Sequence, residues 1–235
     1  MIPIPSAFSA SYAQARVKFL EAAASAGLRI ASFNHPLPGR DGEQLATDVA
    51  REASGPSDSD RLLIISSACH GVEGYCGSGV QVFALHDDAW RAKAREAGVA
   101  VLYIHALNPH GFSHVRRVTH ENVDLNRNFH DFSQPLPVNP AYRRAHPLLF
   151  PASWPPDEAN RAAIEAFIAA NGLAGWQAAI SGGQHEFADG LFYGGTAPTW
   201  SNRTVRAILQ KYAGHARRVA WIDLHTGLGP SGVGE

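Results

Sequence analysis

Residues 62–68 form an almost continuous apolar segment, and this segment limits the possible folds more than any other part of the sequence. A strand without alternating polar residues is typical of a strand buried on both faces, as in the parallel sheets of α/β proteins. Helical patterns at residues 78–86 and 90–96 and an apolar strand pattern at residues 99–106 follow it. This order predicts a βαβ unit with a right-handed crossover.

Helical and strand patterns alternate along much of the remaining chain. The sequence predicts further helices at residues 11–26, 43–52 and 157–170 and from about Thr199, and further strands at residues 28–33 and 221–224. A hydrophobic content of 45% is enough for a substantial core. We therefore expect one α/β domain over residues 1–235, doubly wound, with a mostly parallel or mixed sheet and helices on both faces.

A proline-rich stretch at residues 135–156 is the main irregularity in this pattern. Such a stretch could be a linker between domains, but Leu148, Phe150 and Trp154 lie within it. We interpret it as an ordered loop rather than as a domain boundary.

Two histidines and one glutamate are the candidate metal ligands. His70 and Glu73 leave the end of the apolar segment three positions apart, and His225 follows the apolar strand predicted at residues 221–224. Two imidazoles and a carboxylate are typical zinc ligands, and three of them leave one position open for water, as in catalytic sites. A histidine bonded to a backbone carbonyl at a strand end would explain either histidine alone. His185 is the alternative third ligand, but it lies in a glycine-rich loop rather than after an apolar strand.

Four motifs in a fixed order extend this interpretation. They are His70-x-x-Glu73, Asn108-Pro109-x-Gly111, Asp124-x-Asn126-Arg127 and the later histidine in Asp223-Leu224-His225-Thr226. Together they resemble the zinc carboxypeptidase (carboxypeptidase A-like) family over residues 9–235. The sequence around the ligands is most similar to that of an uncharacterised bacterial branch of that family. The last motif is also similar to the aspartoacylase and succinylglutamate desuccinylase relatives.

The resemblance implies one zinc ion per chain, bound by His70, Glu73 and His225. It also implies that Asp124 accepts a hydrogen bond from the second ring nitrogen of His70. That role has a physical reason, because an acceptor of this kind fixes the tautomer of a zinc-bound histidine and raises its basicity.

The resemblance assigns two further pairs of residues to the substrate. Asn126 and Arg127 would hold a free carboxylate, for which a planar guanidinium is better suited than a lysine. Arg117 or its neighbour Arg116 would stabilise the oxyanion of the tetrahedral intermediate. Spacing alone does not distinguish the two arginines, and paired arginines before a loop are otherwise typical of a solvated surface.

These assignments predict a zinc-dependent hydrolase that cleaves a peptide or amide bond next to a free carboxylate by means of a zinc-activated water. An N-acyl amino acid deacylase of the aspartoacylase type is the alternative. The family's general base lies well downstream of the third ligand, so we expect it beyond residue 235, in a C-terminal part of the fold that this sequence lacks. Glu235 and Glu186 are the candidates within the chain. Without a base, the protein would be a non-catalytic metal- and carboxylate-binding module.

Other classes of function find less support. With 20 basic and 21 acidic residues, the charge does not favour nucleic acid or a membrane surface as partner, and we expect a small peptide or N-acyl amino acid instead. A serine hydrolase is disfavoured because the chain has no Gly-x-Ser-x-Gly motif. Cys69 and Cys76 match no zinc or thioredoxin signature, and we expect small buried residues rather than a disulfide. The first residues do not resemble a signal peptide, so we expect a cytoplasmic protein. The sequence does not indicate an oligomeric state.

Overall fold

The computed structural model of the chain describes residues 2–55 and 60–227. The chain divides into two compact units. The first extends to His120 and resumes at Trp200, and the second covers residues 121–199. No helix in the described ranges is both long enough and apolar enough to cross a bilayer.

The first unit contains a mixed five-stranded sheet. Its strands are β1 (Arg29–Pro38), β2 (Gln44–Glu52), β3 (Arg61–Ser67), β4 (Ala100–His105) and β5 (Arg218–Leu224). Their order is β1-β2-β4-β3-β5. Strand β2 is antiparallel to both β1 and β4, whereas β3 is parallel to β4 and to β5. The predicted α/β class with a mixed sheet is confirmed.

The helix predicted at residues 43–52 is wrong, because this segment is strand β2. Its Ala, Glu and Arg residues favour a helix, but β2 pairs on both sides, with Ala50 lying between Ile30 of β1 and Tyr103 of β4. Six consecutive residues of β2 are buried, so tertiary pairing outweighs local propensity here.

Eight α-helices accompany the strands in the described ranges. They are α1 (Ile4–Ala7), α2 (Tyr12–Ser25), α3 (Gly74–Leu85), α4 (Asp88–Glu96), α5 (Pro109–Ser113), α6 (Pro140–Leu149), α7 (Glu158–Ser181) and α8 (Trp200–Ala213). Short polar side chains cap several of them. The Ser11 side chain accepts from the Gln14 N–H at the start of α2, and Asp87 accepts from two N–H groups at the start of α4.

The core of the first unit lies between the sheet and helices α2 and α3. Buried apolar residues of one cluster come from both helices and from β2, β3 and β4: Phe19, Ala22, Ala23, Ala50, Ile65, Val82, Leu85, Val101 and Tyr103. Helix α3 approaches the strand ends closely at Gly77, where a Cβ atom would lie 2.7 Å from Ser67 Cβ and 3.2 Å from Leu224 Cβ. This close contact holds α3 against the ends of β3 and β5.

The second unit is built on α6 and α7. Helix α6 lies within the proline-rich stretch, where the Asn139 side chain caps it by accepting from the Tyr142 N–H at 2.9 Å. Helix α7 continues beyond the predicted end at residue 170, with a break at Gly172, whose φ of 74° is in the left-handed region that suits glycine. A 3₁₀ turn at Leu125–Arg127 precedes both helices.

Candidate metal and carboxylate site

The three candidate ligands meet beyond the C-terminal ends of strands β3 and β5 in the first unit. His70 lies three residues after the end of β3, and His225 directly follows β5, which is the parallel neighbour of β3. One ligand atom from each of His70, Glu73 and His225 lies within 4.8 Å of the others. His70 Nδ1 is 2.8 Å from Glu73 Oε1, and His225 Nδ1 is 3.5 Å from Glu73 Oε2.

A short 3₁₀ turn, Gly71–Glu73, directs Glu73 toward His70. Side chains three residues apart lie on the same side of such a turn. The Glu73 N–H donates to the His70 carbonyl at 3.1 Å, and both side chains are buried, His70 being only 4% exposed. The Thr226 N–H also donates to Glu73 Oε2, which connects the loop after β5 to the turn after β3.

The arginine loop packs directly against this turn. The Gly71 N–H donates to the Arg117 carbonyl at 3.3 Å, and the Val72 N–H donates to the Arg116 carbonyl at 3.1 Å. Gly71 also packs against the backbone of Gly111 so closely that a Cβ atom on Gly71 would overlap it. Arg117 Nη1 is 4.0 Å from Glu73 Oε1. The guanidinium of Arg117 therefore reaches the ligand carboxylate, a relation that sequence spacing did not reveal.

The Asn108-Pro109-x-Gly111 motif shapes the start of this loop. Asn108 caps α5, because its side-chain oxygen accepts from the Gly111 N–H at 2.8 Å. The Gly111 carbonyl then accepts from the Arg116 N–H at 2.8 Å. The motif thus sets the path of the chain from β4 to the two arginines.

The pKa values of the ligands reflect their mutual hydrogen bonds. Burial raises the pKa of Glu73, but the hydrogen bonds from His225 and His70 more than reverse this and hold the pKa well below its usual range. The hydrogen bond to Asp223 is the largest of several that raise the pKa of His225 to about 12. An anionic carboxylate therefore faces a protonated imidazole, and a bound metal ion would take the place of that proton.

The donor set fits a zinc ion. Ligand atoms about 2.0 to 2.2 Å from a tetrahedral zinc lie about 3.3 Å from one another. His70 Nδ1 is 2.8 Å from Glu73 Oε1 and His225 Nδ1 is 3.5 Å from Glu73 Oε2, so each imidazole lies near that distance from one of the two carboxylate oxygens. The ring centroids of His70 and His225 are 5.0 Å apart and the rings are inclined by 69°, so the two imidazoles do not stack.

A second group of possible ligands shares His225. Ligand atoms of Cys69, Asp223 and His225 also lie within 4.8 Å of one another. His225 Nε2 is 2.5 Å from Asp223 Oδ2, whereas its Nδ1 faces Glu73. Sequence reasoning did not give Asp223 a role, although Trp221, Asp223 and His225 recur with the period of two that places strand residues on one face.

The predicted carboxylate-binding residues lie in the second unit. Asp124 is fully buried there, and its Oδ1 accepts from the Asn126 N–H at 3.1 Å, which caps the 3₁₀ turn that carries Asn126 and Arg127. Arg127 Nη2 donates to the Ser181 carbonyl at 3.0 Å. Arg127 Nε is buried and has no hydrogen-bond partner within the part of the chain that the structure describes.

A cavity of about 340 Å³ lies beside this turn, and Asn126, Arg127, His130 and His185 all line it. The Nδ1 of His185 is 2.6 Å from the Gly195 carbonyl, and its ring packs edge to face with that of His130 at 4.9 Å between centroids. A guanidinium group that lines a cavity offers several N–H donors in one plane, which suits an anion such as a carboxylate.

The two candidates for the general base within the chain are Glu186 and Glu235. The Glu186 carboxylate pairs with Arg143, whose Nε is 3.0 Å from both of its oxygens. Glu235 lies outside the described residues.

Comparison with known proteins gives one family and several distant structures. A protein-family model described as "Protein of unknown function (DUF2817)" matches residues 8–235. No curated protein matches the sequence. Among solved structures, the chain is similar to thrombin activatable fibrinolysis inhibitor (TAFI), with 10% identity and a TM-score of 0.49 over 91% of this chain and 46% of that one.

Two bacterial structures are similar over shorter stretches. A metallo-carboxypeptidase from Pseudomonas aeruginosa, in complex with (2-guanidinoethylmercapto)succinic acid, has 20% identity and a TM-score of 0.36 over 48% of this chain and 30% of that one. A metallo-carboxypeptidase from Burkholderia cenocepacia has 14% identity and a TM-score of 0.37 over 66% of this chain and 37% of that one. The chain spans less than half the length of each of these three structures.

Proposed function

The chain belongs to the family described as "Protein of unknown function (DUF2817)", and we propose that it is a metal-dependent hydrolase that cleaves a peptide or amide bond next to a free carboxylate. The observation that carries this proposal is the convergence of His70, Glu73 and His225, whose ligand atoms lie within 4.8 Å of one another. The resemblance of the four motifs to the zinc carboxypeptidase family supports zinc as the metal.

The ligands would leave part of the coordination sphere for the reaction. Zinc, when bound to two histidines and a carboxylate, lowers the pKa of a coordinated water to about 7 and polarises a carbonyl group. His70 and Glu73 are buried, so both would be held rigidly by the turn after β3. His225 would complete the set from the neighbouring strand.

Asn126 and Arg127 would select the substrate through its carboxylate. The Arg127 guanidinium lines the cavity beside them, and its planar set of N–H donors supports an anion as the natural occupant. A substrate held in this way is an amide whose amine part carries a free carboxylate, as in a dipeptide or an N-acyl amino acid.

Two further roles rest on the motifs. We assign the oxyanion to Arg117 rather than Arg116, because Arg117 Nη1 approaches the ligand carboxylate at 4.0 Å. The motif resemblance also gives Asp124 the role of acceptor for the remaining ring N–H of His70. We assign no general base among the described residues, since Glu186 is paired with Arg143.

Zinc binding and hydrolysis of carboxylate-bearing amides test the proposal together. The 235-residue protein, freed of metal by a chelator, should take up one zinc ion per chain. It should then hydrolyse dipeptides or N-acyl amino acids only slowly, because no general base is assigned among the described residues. Amidation of the substrate carboxylate should remove most of that activity. Preference for N-acyl amino acids over dipeptides would identify the deacylase alternative.

Matched histidine variants provide the control. His70→Ala should lose both zinc and activity, whereas His215→Ala, which changes an exposed histidine after α8, should keep both. One zinc ion per chain without turnover would indicate the non-catalytic binding module. Activity that survives complete removal of the metal would contradict the proposal.

A further inference from the structure

A continuous chain of hydrogen bonds connects the sheet to His225. Trp221 Nε1 donates to Ser66 Oγ at 2.7 Å, and Ser66 Oγ donates to Asp223 Oδ1 at 2.5 Å. The other carboxylate oxygen, Asp223 Oδ2, is 2.5 Å from His225 Nε2. The connection therefore runs from β5 to β3, back to β5, and then to the candidate ligand.

The register of the sheet explains why these residues meet. Ser66 of β3 lies opposite Asp223 of β5. Trp221 and Asp223 are two residues apart on one strand, so their side chains lie on the same face of the sheet. Ser66 is fully buried, which anchors the chain of hydrogen bonds in the interior although Trp221 is 42% exposed.

The chemistry of the end groups fixes the direction of each hydrogen bond. The indole N–H of Trp221 can only donate, so Ser66 Oγ accepts from it and its own proton is directed to Asp223. The Asp223 carboxylate can only accept, so His225 must donate through Nε2. The remaining ring nitrogen of His225, Nδ1, faces Glu73 Oε2 at 3.5 Å and is left to bind a metal.

Orientation by hydrogen bonds matters at this position because packing contributes little. His225 lies just beyond the end of β5, and its side chain is 29% exposed. Rotation of an imidazole at a strand end exchanges the two ring nitrogens or moves the ligand atom away from its partners. A carboxylate fixed on both of its oxygens prevents that rotation.

We propose that Asp223, supported by Ser66, is a positioning residue that holds His225 with Nδ1 toward the metal and is not itself a ligand; this role rests on the proposed function. Both Asp223 oxygens already have partners, Ser66 and His225. Metal binding by Cys69, Asp223 and His225 would break the bond between Asp223 and His225. Binding by His70, Glu73 and His225 leaves it intact.

The experiment measures zinc affinity by chelator competition for graded variants of this chain of hydrogen bonds. Asp223→Ala should weaken zinc binding about 10- to 100-fold. Asp223→Asn should weaken it less, because the amide keeps an acceptor oxygen at one of the two positions that now bond to Ser66 and His225. Ser66→Ala removes only the support and should have a smaller effect still.

A neighbouring serine supplies the matched control. Ser67 of β3 donates to Gln81 Oε1 at 2.8 Å and not to Asp223, so Ser67→Ala should keep the wild-type zinc affinity. Each variant is also loaded with Co²⁺ to compare visible spectra. The spectrum should change in Asp223→Ala and stay unchanged in Ser67→Ala, whereas all proteins should bind one metal ion per chain.

Four results would overturn this role. Wild-type zinc affinity in Asp223→Ala, with binding lost in His70→Ala, would refute positioning but leave the proposed function standing. Two zinc ions per wild-type chain, one of them lost in Asp223→Ala, would make Asp223 a ligand. Absence of zinc binding by the wild type would overturn the proposed function and this role with it. Should Asp223→Ala fail to fold, unchanged affinity in both Asp223→Asn and Ser66→Ala would refute positioning equally.

Discussion

Strands β4 and β5 belong to the same sheet, but the side chains at each strand are kept in place in different ways. Strand β4 lies between β2 and β3, and all six of its residues are buried. Strand β5 pairs with β3 at the edge of the sheet, and none of its seven residues is buried. Side chains of β4 are therefore fixed by close packing, whereas the loop after β5 depends on hydrogen bonds to hold a side chain in place.

The histidines at the two strand ends show the same difference. His105, the last residue of β4, is fully buried, and burial lowers its pKa to about 4. His225, after β5, forms a hydrogen bond with Asp223, and this hydrogen bond raises the pKa of His225. Burial outweighs the attraction of Asp48 and keeps His105 neutral. The hydrogen bond to Asp223 keeps His225 charged until a metal displaces the proton.

Truncating an isoleucine in each strand should give the largest difference. Ile104 of β4 is fully buried and Ile222 of β5 is 51% exposed. Ile104→Ala should lower the free energy of unfolding by about 2–5 kcal/mol through lost apolar burial and the cavity it leaves. Ile222→Ala should lower it by about 1 kcal/mol or less. Urea unfolding measures both, and equal losses would mean that β5 is as well covered in solution as β4.

Glycines in the loops that follow β3 and β5 extend the comparison to the ligands. An alanine at Gly71 would overlap the backbone of Gly111, and neither backbone can yield easily. Gly71→Ala should cost about 3 kcal/mol and weaken zinc binding. Gly227 has no atom within 4 Å of the position of a Cβ, so Gly227→Ala should change stability by about 0.5 kcal/mol or less. Thermal unfolding and zinc titration of the two variants test this, and a well-folded Gly71→Ala protein would refute the close packing of the turn.

The buried histidine His105 should contribute part of the pH dependence of stability. The pKa of His105 lies at about 4 in the folded chain and at about 6.5 when unfolded, so only the unfolded state takes up a proton between these values. Its contribution to stability is present above about pH 6.5 and is lost as the pH falls toward 4. From about pH 7.5 to about pH 5 the loss should be about 2 kcal/mol.

His105→Gln isolates this effect. The variant removes the titrating group, and its stability should fall less over the same pH range, as measured by urea unfolding at each pH. His110, whose pKa is also lowered to about 4 by burial, remains in both proteins and cancels in the comparison. Identical pH profiles would show that His105 is not the source.

The sequence predicted the interior of the sheet better than its polar connections. The apolar runs at residues 62–68 and 99–106 correspond to β3 and β4. A strand buried on both faces is apolar throughout, so its burial can be read from its composition. The segment at residues 43–52 was mistaken for a helix, because its burial comes from strands on either side that local propensity does not contain.

The candidate site also contains one part that the sequence predicted and one part that depends on tertiary pairing. The approach of His70, Glu73 and His225 follows a general rule for strand ends, whereas the link between Asp223 and Ser66 depends on a register between residues 157 positions apart. The choice between Arg116 and Arg117 rests on the approach of Arg117 Nη1 to Glu73 Oε1 at 4.0 Å, which spacing does not encode. The roles of Asp124, Asn126 and Arg127 remain predictions.

The pairing of β3 with β5 also has a consequence for the nascent chain. Ser66 and Asp223 are separated by 157 residues, which a ribosome adds in about 8 to 30 s at about 5–20 residues per second. Until then one edge of β3 is open, and an open edge can pair with a strand of another chain. His70 and Glu73 leave the ribosome well before their third partner, so the metal site can form only after β5 has paired with that edge.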